Sequence, residues 1–430
     1  MLKRLRTMLW GTISPEELRK FFFLALILSL IIGTYAMIRP LKDAVFMRIV
    51  GKYYLPYAKL LSFAFLIPLL MMYGKLVDLI AKHRVFYVVA TIYVFVFLTI
   101  AYLLAHPVIG LANTLQSPNR FIGWSFYLIV ESFSSIMVAL FWSLAASTTD
   151  FASAKKGYPL IVAGAQIGAI IGPECAKNAT YIGIANIVVI VSTILIVAIF
   201  LVKKIVQQSS IFNSPKPLHV TGPVEGLRLL FTHPYLIGIF CIATLHEIIT
   251  ILLEYRFLLL TDQAFISIEK VIEFLGLSTQ ITNTLALFIA LFGTSFLLKT
   301  FDLTFCLVFF PVSAAIILLC IIFFPSHWSL LGALMIMKAL GYALNNPCKE
   351  MLYIPTSVDI KFKAKSWIDA FGGRFSKALG ALLNAVLSTT SALALYGSCA
   401  ALGIVGVWTI VAMIMGKTHA DLIKKNDTIS

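Results

Sequence analysis

Ionisable side chains stand inside four long apolar stretches of this sequence: "TYAMIRPLKDAVF", "YLIVESFSSIMVALFW", "ATLHEIITILLEYRF" and "KALGYALNNPCKEMLYIP". A charged side chain at the centre of a bilayer costs about 2.5–3.5 kcal/mol on insertion scales, so such residues usually face a partner or a polar cavity. Lysines and an arginine in one cavity suit a polyanion, for which phosphate is the natural candidate. The glutamates can hold a coupling proton or pair with the lysines when the site is empty. The residues concerned are Arg39, Lys42, Asp43, Glu131, His246, Glu247, Glu254, Arg256, Lys349 and Glu350.

The composition indicates a membrane protein. Of 430 residues, 60% are hydrophobic and 12% are charged, and the mean hydropathy is +0.95. A soluble domain of this length needs far more polar surface. Apolar runs near the ~20 residues that cross a hydrocarbon core predict about twelve spans. These lie at 21–45, 58–76, 85–105, 121–146, 158–175, 182–202, 234–260, 281–298, 303–324, 328–350, 367–389 and 391–415.

The loops predict the topology and the domain organisation. Lysine and arginine collect on the side that carries both termini, which places both termini in the cytoplasm and accounts for most of the net charge of +15. We expect a cytoplasmic segment at 1–20, six-helix bundles at 21–202 and 234–415, a cytoplasmic linker at 203–233 and a cytoplasmic tail at 416–430. No secretory or transit signal is visible, which favours a bacterial inner membrane.

An internal repeat supports two pseudo-symmetric halves. Residues 141–172 overlie 349–380 without a gap at an offset of 349 − 141 = 208, which pairs spans 4 and 5 with spans 10 and 11. Gly164, Gly168 and Gly172 have small-xxx-small spacing, and we interpret them as a packing surface. The charged spans are 1, 4, 7 and 10, whereas spans 3, 6, 9 and 12 are almost free of charge. This contrast predicts a polar central pathway.

Less specific interpretations remain open for individual residues. Arg39 and Lys42 can extend to the membrane interface, and Glu247 and Glu254 can be ion-paired packing elements. Pro347 predicts a kink in span 10 that opens a polar pocket beside Lys349. The transport hypothesis requires the charges of spans 1, 4, 7 and 10 to converge on one water-filled centre that binds phosphate, and their scattering toward lipid or burial in separate closed pairs would overturn it.

Several classes of enzyme lack support in the sequence. It has no GxxxxGK[ST] motif, "HEIIT" lacks the second histidine of HExxH, and no GxSxG elbow is present. The six cysteines are scattered singly, so neither a disulfide framework nor a metal site is indicated. We therefore expect no enzymatic activity, no cofactor and no metal.

The motifs resemble those of the plastid and bacterial nucleotide transporters of the ATP/ADP translocase type. The matching segments are "RPLKD" at 39–43, Tyr127 with Glu131 and the following Phe141–Trp142, Tyr235 with Glu254, "NPCKEMLYIP" at 346–355, "AKSWID" at 364–369, and Lys377. The segment "GKLVDLIAKHR" also partly resembles the loop signature of the major facilitator superfamily. Asn346 replaces the family's aspartate, and Pro40 replaces an aspartate after Arg39.

The resemblance implies a fold, a function and a set of site residues. The fold is an all-α polytopic membrane protein, major-facilitator-like, and the function is ATP/ADP antiport by alternating access. The alternatives are proton-coupled import of nucleotide or NAD, a facilitator for another organic phosphate or a drug, and a membrane-embedded enzyme acting on nucleotides or lipids. The implied partners are a nucleotide and the lipid bilayer, and no nucleic acid is expected. The oligomeric state stays open, and a monomer is compatible with the sequence. The implied substrate-binding residues are Lys42, Glu131, Glu254, Lys349, Arg39, Asn346, Glu350, Tyr127, Asp369 and Lys377.

Overall fold

Every regular element described by the structure, a computed structural model, is a helix. The described residues are 14–79, 82–148, 151–208, 230–289, 301–353, 355–356, 368, 372–387 and 396–425. The first six major helices are α1 Pro15–Ile49, α2 Leu55–Leu79, α3 Lys82–Ala105, α4 Phe121–Thr148, α5 Phe151–Ile171 and α6 Ile184–Gln208. The others are α7 Pro234–Ala264, α8 Ile268–Phe288, α9 Leu303–Phe323, α10 His327–Leu340, α11 Gly373–Val386 and α12 Ser398–Lys425.

The predicted spans correspond one by one to these helices. Within the described residues, nine helices are long and apolar enough to cross a membrane, namely α1, α3 to α9 and α12. The other predicted spans overlap α2, α10 and α11. The prediction of an all-α polytopic membrane protein is confirmed.

Local capping explains why α1 begins before the predicted span. Ser14 Oγ accepts a hydrogen bond from the backbone N–H of Glu17 at 3.2 Å, and Glu17 Oε2 accepts one from the backbone N–H of Ser14 at 3.1 Å. This capping box, with Pro15 in the first turn, satisfies donors that a helix start leaves exposed. The helix therefore starts at Pro15, six residues before position 21.

The boundaries of α8 and α12 also differ from the prediction. We expected span 8 at 281–298, whereas α8 begins at Ile268 and its first turns carry charge. Lys270 Nζ lies 2.8 Å from Glu273 Oε2, and Glu273 Oε1 accepts from the backbone N–H of Thr180 at 3.1 Å. These partners allow a charged segment to be helical beyond the apolar stretch; positions 290–300 lie outside the described residues. Helix α12 continues to Lys425 through the start of the predicted tail.

The chain divides into two compact units. Unit 1 comprises Met1–Lys216 and Phe265–Gln280, and unit 2 comprises Pro217–Ala264 and Ile281–Ser430. The division of the spans into six and six stays a prediction. Positions 209–229 of the expected linker lie outside the described residues.

A seam of small residues joins α1 to α5 in unit 1. A Cβ on Gly168 would overlap the carbonyl oxygen of Ser29, and a Cβ on Gly172 would overlap that of Gly33. Gly164 lies in the same way against Ala25. Both helices thus place residues four apart along the contact, which lets their backbones approach closely. The packing role predicted for the glycines is confirmed.

The repeat-related glycines of the second half pack in the corresponding way. Gly372 and Gly380, which the 208-residue offset pairs with Gly164 and Gly172, lie against α7. A Cβ on Gly372 would be 3.3 Å from Thr244 Cγ2, and one on Gly380 would be 2.8 Å from Ile251 Cγ2. Helix α11 therefore packs on α7 much as α5 packs on α1, which is a structural sign of the repeat.

We expect Gly168→Ala to lower the thermal stability of the detergent-solubilised protein. The new methyl group has to move the α1 backbone, and forcing extra atoms into a packed contact costs about 1–3 kcal/mol. The measurement is the temperature at which the purified protein loses its monodisperse peak in size-exclusion chromatography.

Gly403→Ala in α12 is the matched control, because nothing lies within 4 Å of a Cβ at that position. It should leave the stability unchanged or raise it slightly, since alanine is the better helix former. Equal losses for the two substitutions would contradict the close approach of α1 and α5.

Candidate functional site

Lys42 of α1 stands at the centre of a buried polar cluster in unit 1. Its Nζ lies 2.8 Å from Asp43 Oδ1 and 3.0 Å from Glu131 Oε1 on α4. The same atom lies 4.1 Å from the centroid of the Tyr127 ring, an arrangement in which the ring face attracts the cation. Only 3% of the Lys42 side chain and 8% of the Glu131 side chain are exposed. The cluster thus joins α1 to α4 by charge as well as by packing.

Aromatic packing positions this cluster. Phe46, one turn after Lys42, meets the rings of Tyr127 and Trp124 edge to face, with centroids 5.4 Å and 5.0 Å apart. Edge-to-face pairs add stabilisation beyond the area that they bury. The glycine seam holds the middle of α1, so Lys42 lies between two fixed contacts.

The structure corrects one expectation about Lys42. We predicted an ammonium facing a water-filled centre, but its charge is enclosed by two carboxylates. In a low-dielectric interior a lone charge is far more costly than a paired one, so the pair closes. Pairing of a glutamate with a lysine was one of the two roles left open for the acidic residues. A substrate role for Lys42, Glu131 and Tyr127 stays a prediction.

A second ion pair joins α7 to α10 in unit 2, with a partner that the sequence analysis missed. Glu254 Oε1 lies 2.8 Å from Lys338 Nζ, and 17% and 22% of the two side chains are exposed. We singled out Lys349 in this span and overlooked Lys338 within the run "SLLGALMIMKALGYAL". Lys338 lies within an apolar span, where a charge is costly, and the same argument that identified Lys349 applies to it.

A π-helical turn interrupts the helix between Lys338 and Lys349. It covers Gly341–Asn345, and the backbone N–H of Asn346 donates to the carbonyl of Gly341, five residues earlier. Pro347 explains the interruption, because a proline ring lacks an N–H and clashes with the carbonyl four residues before it. After this turn the helix continues over Asn346–Leu352. Where Pro347 predicted a kink, the structure has this π turn, which contains one residue more than an α-helical turn.

Side chains of α7 hold the π turn and the turns after it. The amide of Asn345 lies 3.2 Å from His246 Nδ1 and donates to the carbonyl of Ile242 at 3.4 Å. At the start of α7, the hydroxyl of Tyr235 donates a hydrogen bond to the carbonyl of Leu352 at 2.8 Å. These bonds fix the segment that carries Lys349 against α7.

The remaining predicted residues lie on described helices, with one exception. Asn346 and Glu350 are exposed on the last turns of span 10. Asp369 lies outside the described residues. Three further candidates are half-buried: Arg39, Lys349 and Lys377.

The two ion pairs have a common chemistry. Each places an ammonium at hydrogen-bonding distance from a carboxylate on a neighbouring helix. A phosphate oxygen is also an anionic acceptor at this distance, so it can take the place of the carboxylate without leaving the lysine unpaired. Among the described residues, no group of three or more His, Cys, Asp and Glu side chains could hold a metal ion.

Comparison of the sequence with known proteins gives one consistent result over nearly its whole length. It is 26% identical to ADP,ATP carrier protein 1 of Chlamydia muridarum, covering 96% of this chain and 91% of that protein. It is 23% identical to ADP,ATP carrier protein 1 of Rickettsia prowazekii, covering 99% and 98%. It is 25% identical to the chloroplastic ADP,ATP carrier protein 2 of Arabidopsis thaliana, covering 93% and 74%.

Solved structures with a similar fold are transporters. A bacterial homologue of the iron transporter ferroportin superimposes with a TM-score of 0.69 at 12% identity, covering 94% of this chain and 100% of that one. The POT family transporter PepTSo gives a TM-score of 0.63 at 11% identity, covering 95% and 98%. These likenesses show that the fold is major-facilitator-like.

A family profile extends over almost all of the sequence, including the helices that carry both ion pairs. The profile described as TLC ATP/ADP transporter matches residues 1–334 and 329–419. The chain belongs to the TLC ATP/ADP transporter family.

Proposed function

We propose that the protein exchanges ATP for ADP by alternating access. The observation that carries this proposal is the contact of Lys42 with Glu131, in which a carboxylate occupies a place that a phosphate oxygen can take. The names of the Chlamydia, Rickettsia and plastid relatives support the same substrates. The location that we propose is a bacterial inner membrane with both termini in the cytoplasm.

The ion pairs suggest how binding and release are linked. An arriving phosphate displaces Glu131, and Lys42 keeps an anionic partner throughout. When the nucleotide leaves, Lys42 must regain Glu131 or receive a second nucleotide, because an unpaired ammonium in this interior is costly. The second route is exchange. Lys349 is the proposed second lysine for the phosphates, with Arg39, Asn346, Glu350 and Lys377 as further candidates beside it.

The charge difference between the two nucleotides gives the exchange a preferred direction. ATP and ADP differ by about one charge, and moving one charge across 100 mV is worth about 2.3 kcal/mol. This corresponds to roughly a 50-fold shift in the distribution of ATP over ADP at equilibrium. The protein changes no covalent bond of its substrate in this scheme.

We expect Lys42→Gln to raise the KM for labelled ATP uptake about 10- to 100-fold, the value of a lost charged hydrogen bond. The single substitution leaves Asp43 and Glu131 buried beside a neutral group, which threatens folding. The double variant Lys42→Gln/Glu131→Gln removes part of this imbalance and should show the same loss. Initial uptake rates in cells or proteoliposomes measure both.

Lys270→Gln is the control for the loss of a lysine from an ion pair, because 57% of the Lys270 side chain is exposed and its pair with Glu273 lies at the start of α8. It should transport normally. Normal KM in a folded double variant would remove Lys42 from the substrate site.

Lys349→Gln tests the second lysine. Lys349 is half-buried, so its neutralisation should affect folding less than that of Lys42, and we expect a raised KM with a nearly unchanged thermal stability. Uptake kinetics and a thermal-shift measurement on the same preparation check this. A large loss of stability with an unchanged KM would assign Lys349 a structural role instead.

We expect uptake of labelled ADP into proteoliposomes to require nucleotide inside, to be insensitive to a proton ionophore and to respond to an imposed membrane potential. Strict dependence on preloading is the signature of exchange, and the potential acts because the net charge moved differs between the two nucleotides. Uptake without preloading that the ionophore abolishes would instead identify a proton-coupled importer. Conversion of the nucleotide into a new chemical species by the purified protein would favour an enzyme.

A further inference from the structure

The π turn places Lys338 at the position equivalent to Glu131 in the internal repeat. After this turn, the repeat aligns residues 141 and 349 at an offset of 208. The π turn has hydrogen bonds between residues five apart, so it contains one residue more than an α-helical turn. This extra residue lies in the second half, so for residues before the turn the offset between the halves is 208 − 1 = 207. Adding 207 to 131 gives 338. The lysine of α10 is thus the counterpart of the glutamate of α4.

The partners of these two residues are related in the same way. Glu131 pairs with Lys42 on α1, and Lys338 pairs with Glu254 on α7. The glycine contacts of α5 and α11 show that α1 and α7 are equivalent helices. Each half therefore contains one ion pair between its first and fourth helices, with the signs of the charges exchanged between the two helices.

The pair in unit 2 is the more accessible. Lys338 and Glu254 have 22% and 17% of their side chains exposed, against 3% and 8% for Lys42 and Glu131. A partly exposed pair avoids some of the desolvation cost that full burial imposes on its two charges. Lys338 is half-buried, and its ammonium can exchange the carboxylate at 2.8 Å for another anionic acceptor.

We propose that Lys338 is a further substrate-binding residue, whose ammonium exchanges Glu254 for a phosphate oxygen of the nucleotide. This inference rests on the proposed function, and it assigns span 10 two lysines for the phosphate chain, Lys338 before the π turn and Lys349 after it. Glu254 is then the competitor of the substrate in the empty carrier. No covalent bond changes.

This arrangement makes opposite predictions for the two partners. Lys338→Gln removes a phosphate contact, so the KM for ATP rises about 10-fold or more. Glu254→Gln removes the competitor, so nucleotide binds more tightly and the KM falls. Turnover falls in the same variant, because release no longer regains the ion pair. A purely structural pair would not produce changes of KM in opposite directions.

The double variant Lys338→Gln/Glu254→Gln separates binding from counter-ion roles. If Lys338 only balances the charge of Glu254, two neutral side chains restore the KM of the native protein, and the proposal is overturned. If Lys338 binds phosphate, the KM stays as high as in Lys338→Gln. This variant also leaves neither charge unpartnered, so it carries the comparison should Lys338→Gln fail to fold.

The experiment measures uptake kinetics and the thermal shift caused by ATP, ADP and AMP for the native protein, the three variants and Lys338→Arg. We expect Lys338→Arg to keep most of the affinity, since it retains the cation, and Lys338→Gln to reduce the preference for ATP over AMP. If the native protein neither binds nor transports any nucleotide, the proposed function fails as a whole. Normal transport by the native protein with an unchanged KM in Lys338→Gln overturns only the role of Lys338.

Discussion

The low dielectric of the membrane interior is the constraint on which the arrangement of this protein depends. An ammonium there is stable only beside an anion, and the anions that the described spans provide are carboxylates on neighbouring helices. Lys42 therefore joins α1 to α4, and Glu254 joins α7 to α10. In each unit, the two helices that carry charged residues in the interior are also joined to each other by the ion pair between those residues.

The two halves share a packing plan but differ in their charges. Glycines at repeat-related positions bring α5 against α1 and α11 against α7. The lysine of the ion pair comes from the first helix in one half and from the fourth helix in the other. The backbone positions at these glycines are constrained, because backbone contacts tolerate few changes. An ion pair tolerates exchange of its two members, since only their opposite signs matter.

Hydropathy predicted the order and approximate positions of the helices, because the requirement for about 20 apolar residues acts on each segment by itself. It failed at the start of α8, where Lys270 and Glu273 pair with each other and Glu273 also accepts a hydrogen bond from the distant backbone N–H of Thr180. The partner of Glu254 was also missed. Which lysine an acid meets depends on how two helices face each other, and the sequence of either helix alone does not contain that information. The form taken by the Pro347 kink likewise depends on His246 and Asn345 from two different helices.

The seam between α1 and α5 has a mechanical consequence. Where backbone meets backbone at Gly168 and Gly172, no side chain can change rotamer to absorb a displacement. The two helices are therefore coupled as a single lever, with the ammonium of Lys42 near one end. A displacement of α1 is therefore passed directly to α5 through backbone contacts.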